Sequence, residues 1–124
     1  MGLDNFASRS LDVMDLTADD ERAFEDAGLV LCGGIYSGEE SSFRGKVYWE
    51  LIYEATGVSI SESITPDVVK DVSARLDAYT PGDLAELSAT LAVPGQESSP
   101  DVCASLQRFF RICAERGLGL IAWG

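Results

Sequence analysis

Three helix starts in the C-terminal half of this chain are written in the same way, and they narrow the choice of fold more than any other feature. Thr65-Pro66-Asp67, Thr80-Pro81-Gly82-Asp83 and Ser99-Pro100-Asp101 each place a hydroxyl side chain directly before a proline, with an acid in the turn that follows. The hydroxyl accepts a hydrogen bond from an otherwise orphaned backbone amide. The proline lacks only an N–H that the first turn does not use, and the carboxylate sits at the positive end of the helix. Each cap is worth about 1 kcal/mol. One-sided apolar stripes follow: Val68, Val69, Val72, Leu76 and Tyr79, then Leu84, Leu87 and Leu91, then Val102, Cys103, Leu106, Phe109, Phe110 and Cys113. All three have helical spacing, but their lengths and registers differ, so they are not a repeat. Arg108, Arg111 and Arg116 lie toward the negative end of the last helix, which Gly117 closes.

The N-terminal half is less explicit. Thr17-Ala18-Asp19-Asp20 reads as a capping box with Asp in place of Glu, opening a helix that runs through Ala27 and ends at Gly28. Leu29-Val30-Leu31-Cys32 reads as a buried strand continuing into Gly33-Gly34-Ile35-Tyr36. Residues 37–42 form a polar loop expected to cap a helix from about Phe43 to Thr56, stopped by Gly57. Leu118 to Trp123 reads as a terminal strand, expected to pair near residues 29–36. Residues 1–14 are weakly periodic, with Phe6, Leu11 and Val13 as strand or anchoring positions, and a loose N-terminus is expected. A chain of 124 residues can bury roughly two thirds of its unfolded surface, enough for one core. The reading is therefore a single α+β domain over 1–124, with about five helices packed on a small sheet that includes 29–36 and 118–123. The alternative is a mainly α bundle with extended ends.

Charge and composition bear on function. There is no histidine, and 21 carboxylates face nine basic side chains, for a net charge of −12. Histidine is the commonest general base and metal ligand, so most proton-shuttling and metal-dependent schemes lose their central residue. No cofactor or metal is implied. A field of this sign repels phosphate backbones and anionic lipids, which argues against a nucleic-acid or membrane partner and for a basic protein. Only Lys46 and Lys70 are lysines beside seven arginines, a bias that salt adaptation and a GC-rich genome explain equally well.

Cys32, Cys103 and Cys113 contain no C-x-x-C pair. On one helix Cys103 and Cys113 would stand about 15 Å apart, too far for a bridge. Reduced core thiols, and hence a cytoplasmic protein, are the expectation. No apolar run approaches the length of a membrane span, and neither a signal peptide nor a myristoylation pattern is present.

The segment from Leu29 to Lys46 fails as a phosphate loop. With Gly45-Lys46 in the terminal places, Glu40 stands where the first glycine belongs and Val47 where Ser or Thr belongs. A weaker anion site formed by Ser41, Ser42 and Arg44 at the helix start remains, against an ordinary turn and cap. On a helical wheel Phe43, Val47, Leu51, Ala55, Tyr48 and Ile52 form one face of the 43–56 helix, while Trp49 and Tyr53 fall outside it. Such a helix either packs on two sides, the reading favoured here, or presents Trp49 and Tyr53 to a partner as an interaction hot spot. Glu50 and Glu54 stand one turn apart, and Lys46 precedes Glu50 by four, as in a solvated ion-pair ladder. The wheel sets Glu54 between Phe43 and Val47. If buried there, it needs an arginine partner or a raised pKa.

Two functional classes follow. The first is a small acidic cytoplasmic interaction module, of the inhibitor, immunity or adaptor kind, that binds a basic partner. The second is a small-ligand-binding or anion-binding domain, or a histidine-free enzyme, built on the Gly33-Gly34 loop, Ser41, Ser42, Arg44 and Glu54.

Overall fold

A computed structural model of the chain describes residues 3–12, 15–31, 41–91 and 98–123. In chain order the described elements are β1 (Asp4–Ser8), α1 (Ala18–Ala27), β2 (Ser42–Arg44), α2 (Gly45–Thr56), α3 (Pro66–Leu76), α4 (Pro81–Leu91), α5 (Pro100–Arg116) and β3 (Gly119–Trp123). The fold is α+β: five helices packed with a small antiparallel sheet of order β2-β1-β3.

The proline-started helices form where the capping residues place them. The Thr65 hydroxyl accepts from the Val68 N–H, Thr80 from Asp83 and Ser99 from Val102. The capping box of α1 closes in both directions between Thr17 and Asp20, and Gly28, Gly57 and Gly117 end their helices with positive φ. The longest helix, α5, packs against α3, α4 and α1. Its buried Gln107 donates to the carbonyls of Leu76, at the end of α3, and Tyr79, in the turn that follows, at 2.8 Å each, tying α5 to that turn. Phe109 packs against Phe24 of α1 in a tilted pair and against Phe43 of β2 edge-to-face, at centroid distances of 5.1 and 5.0 Å. This aromatic cluster joins the sheet to the helices.

Three expectations about the sheet need correction. The terminal strand β3 pairs with β1, in the register Asp4 with Trp123 to Ser8 with Gly119, and not with residues 29–31. Leu29 and Leu31 pack half-buried against the core without strand pairing, and the Val30 N–H donates to the Ser105 hydroxyl. Residues 32–36 lie outside the described residues. Asp4–Ser8, within the segment expected to be loose, is the middle strand and is buried along its whole length. Its three-residue partner β2 takes Ser42 from the expected loop and Phe43 and Arg44 from the expected helix. Asp4 faces Arg44, Asn5 faces Phe43 and Phe6 faces Ser42, so Phe43 belongs to the sheet and α2 starts at Gly45.

Close approach explains why the helix starts at a glycine. A Cβ on Gly45 would fall on the Asn5 side-chain oxygen, while the Asn5 amide nitrogen donates to the Ile60 carbonyl at 2.9 Å. Asn5 thus ties the middle strand to the loop after α2, and only a residue without a side chain fits between them.

Candidate functional site

With Phe43 off the helix, the buried face of α2 is defined by its own residues. Tyr48, Leu51, Ile52 and Thr56 are buried, and the opposite face carries Lys46, Trp49, Glu50 and Tyr53 in solvent. Trp49 is 39% exposed, Tyr53 50% and Val47 47%. The two-sided packing favoured from the sequence is therefore incomplete: α3, α4 and β1 pack against α2, and Trp49 and Tyr53 stay partly exposed on its other side. Val47, counted with the apolar face in the sequence, stands outside the core because Phe43, which anchored that face, is not on the helix.

Glu54 is exposed, and no buried-carboxylate argument applies to it. No ion pair joins Lys46 to Glu50 among the described residues, so the expected ladder is not formed. Trp49 and Tyr53 make one row along α2, one turn apart. Glu50 and Glu54 make a second row beside it, each carboxylate directly after a ring in sequence.

The serine and arginine candidates do not converge with this face in the way an anion site needs. Ser41 and Ser42 are buried before and within β2, and Arg44 is exposed as the residue preceding α2. Arg44 occupies the N-cap position and its side chain makes no capping hydrogen bond, so the expected serine cap is not used. Gly33 and Gly34 lie outside the described residues. A cleft among the described residues lies elsewhere, between α1 and α5. It has a volume of about 380 Å³, is floored by Ala23, Ala27 and Ile112, and is rimmed by Asp26, Arg108 and Glu115. None of the sequence candidates lines it. No group of His, Cys, Asp and Glu among the described residues could hold a metal ion. No helix is long and apolar enough to cross a membrane.

One charged cluster had no counterpart in the sequence reading beyond its local cap. Asp20 is fully buried and accepts from the Arg9 Nε and NH2 groups at 2.7 Å each and from the Arg116 Nε at 2.7 Å. It also accepts from the Thr17 N–H at 3.1 Å. Burial pushes the Asp20 carboxyl up, but the hydrogen bonds from Arg9, Arg116 and Thr17 together outweigh it and hold the group well below the usual carboxylate range. The cluster joins the segment after β1, the start of α1 and the end of α5. It consumes two of the nine cations internally. Arg22, Arg75 and Arg111 pair with Asp19, Asp71 and Asp77.

Cys103 and Cys113 are free thiols buried on α5. Burial pushes Cys103 up to about 11 and Cys113 higher still, which suppresses the reactive thiolate. Cys32 lies outside the described residues.

The chain matches no family model, no curated protein and no solved structure.

Proposed function

We propose that this protein is a small acidic interaction module, cytoplasmic and of the inhibitor, immunity or adaptor kind, that docks a basic protein on the exposed face of α2. The observation that carries the reading is the exposure of Trp49 and Tyr53 one turn apart on a helix whose other face is fully committed to the core. Aromatic side chains bring large contact area at little entropic cost and dominate interface energetics when a partner desolvates them. The flanking Glu50 and Glu54 and the net charge of −12 favour a basic surface and speed its approach. The buried reduced thiols fit a reducing compartment.

The test begins with a photo-crosslinking amino acid at position 53 in the native host, with the captured protein identified by mass spectrometry. The purified partner should be basic and should associate more slowly as salt rises. Trp49→Ala/Tyr53→Ala should abolish binding while leaving the helical circular dichroism intact. A captured partner that is acidic, or one that the double variant still binds at full affinity, removes the proposal.

A further inference from the structure

The cleft of about 380 Å³ between α1 and α5 has a chemistry that docking on α2 does not use. Three contacts fix how the two helices lie. Asp20 accepts from Arg116, Phe24 packs on Phe109, and the Val30 N–H donates to the Ser105 hydroxyl, so α1 and the residues after it run antiparallel along α5. That register brings Asp26 to the level of Arg108 and sets Glu115 toward the other end of the cleft. Ala23 and Ala27 stand one turn apart on α1 and stop at Cβ. With Ile112 they make an apolar floor between charged walls.

The charges on the two walls do not neutralise each other. Asp26, Arg108 and Glu115 are exposed and line one cleft, yet none of them enters an ion pair among the described residues. Arg111 is held from outside the cleft, its Nε and NH2 groups donating to Asp77 at 3.3 and 3.0 Å, and the charge of Glu115 one turn further on supports it. The last turn of α1 contains Glu25 and Asp26 and no basic residue, so the negative end of that helix adds to the attraction for a cation beside Asp26. We infer that the α1–α5 cleft binds a small zwitterion, an α-amino acid with an aliphatic side chain, whose carboxylate is taken by Arg108, whose ammonium is taken by Asp26, and whose side chain lies over Ala23, Ala27 and Ile112.

The arrangement selects this class over its neighbours. A simple anion meets Asp26, Glu115 and the field of a chain with a net charge of −12, and a simple cation meets Arg108 and Arg111. A molecule with both charges satisfies both walls, and charge-assisted hydrogen bonds at its two ends fix its direction. The volume lies at the small end of ligand sites, which suits one amino acid and excludes a nucleotide or a long peptide. The site is separate from α2, and the docking reading stands or falls without it.

The experiment titrates the full-length protein with L-leucine at neutral pH and follows amide chemical shifts. Because both charged walls are in contact with water, saturable shifts at residues 23–27 and 108–115 with a Kd of about 1 mM are expected. Isopentylamine, which lacks the carboxylate, and isocaproate, which lacks the ammonium, should each bind about ten-fold more weakly. Arg108→Gln and Asp26→Asn, at exposed positions, should each weaken leucine binding by about the same factor without changing the circular dichroism. Four results would each overturn the inference: no saturable shift up to ~10 mM leucine, shifts centred outside the cleft, equal affinity for leucine and either fragment, or full-affinity binding by Arg108→Gln or Asp26→Asn.

Discussion

Replacing Asp20 with Asn keeps the shape of the side chain and removes its charge, leaving the Arg9 and Arg116 guanidiniums facing a neutral amide. Removing one member of a buried ion pair commonly costs about 3 to 5 kcal/mol. Here the arginine side chains remain 42% and 32% exposed, so water recovers part of their solvation and the lower end of that range applies. We expect a loss of about 3 kcal/mol at neutral pH, which for a domain of this size lowers Tm by about 10 °C. Urea unfolding followed by circular dichroism measures it. The pH dependence has a definite sign. Because the folded-state pKa of Asp20 is depressed, its contribution is complete above the unfolded carboxylate value of about 4 and is lost as pH falls toward the folded value. The gap between wild type and Asp20→Asn should therefore be constant from pH 7 to about 5 and close progressively below about 4. A variant that loses less than about 1 kcal/mol at pH 7 would place the cluster with ordinary surface pairs and refute the reasoning.

Two further outcomes follow from packing. Gly119→Ala would bring a Cβ to 2.8 Å from the Leu11 Cδ2 and 2.9 Å from the Ile64 carbonyl, which is itself bonded to the Leu120 N–H. Because backbone cannot yield cheaply there, a loss of about 2 kcal/mol in urea unfolding is expected; a neutral result would mean that the contact between β3 and Ile64 is loose. With Cys103 and Cys113 buried and their thiols held protonated, no more than one thiol of the three should react with an aromatic disulfide reagent before unfolding. Rapid native-state labelling of two or more would contradict the packing of α5.

The parts of this fold that could be read in the sequence are those whose cause is local. Thr65, Thr80 and Ser99 cap amides three residues away, and Gly28, Gly57 and Gly117 end helices through their own φ. β1 was legible only at Phe6, a strand or anchoring position, because Asp4-Asn5-Phe6-Ala7-Ser8 has neither strand composition nor clear alternation. It is a strand because residues about 40 and 115 positions further on flank it on both sides. Leu29-Val30-Leu31 erred in the opposite direction, since an apolar run that fills a gap beside a helix looks the same as a buried strand. The α2 wheel had the correct period and the wrong origin. Counting Phe43 as helical pulled Val47 and Glu54 toward the core and obscured that the open face belongs to Trp49 and Tyr53. Asp20 showed its capping role in sequence, but nothing in the spacing announced two arginines 11 and 96 residues away.

The account depends on α2 having one committed face and one free face, and a pair of substitutions on opposite sides of that helix tests it. Leu51→Ala should cost about 2 to 5 kcal/mol in urea unfolding, and Tyr53→Ala less than about 1 kcal/mol. Equal losses at the two positions would mean that Tyr53 belongs to the core, and the proposed docking face would not exist.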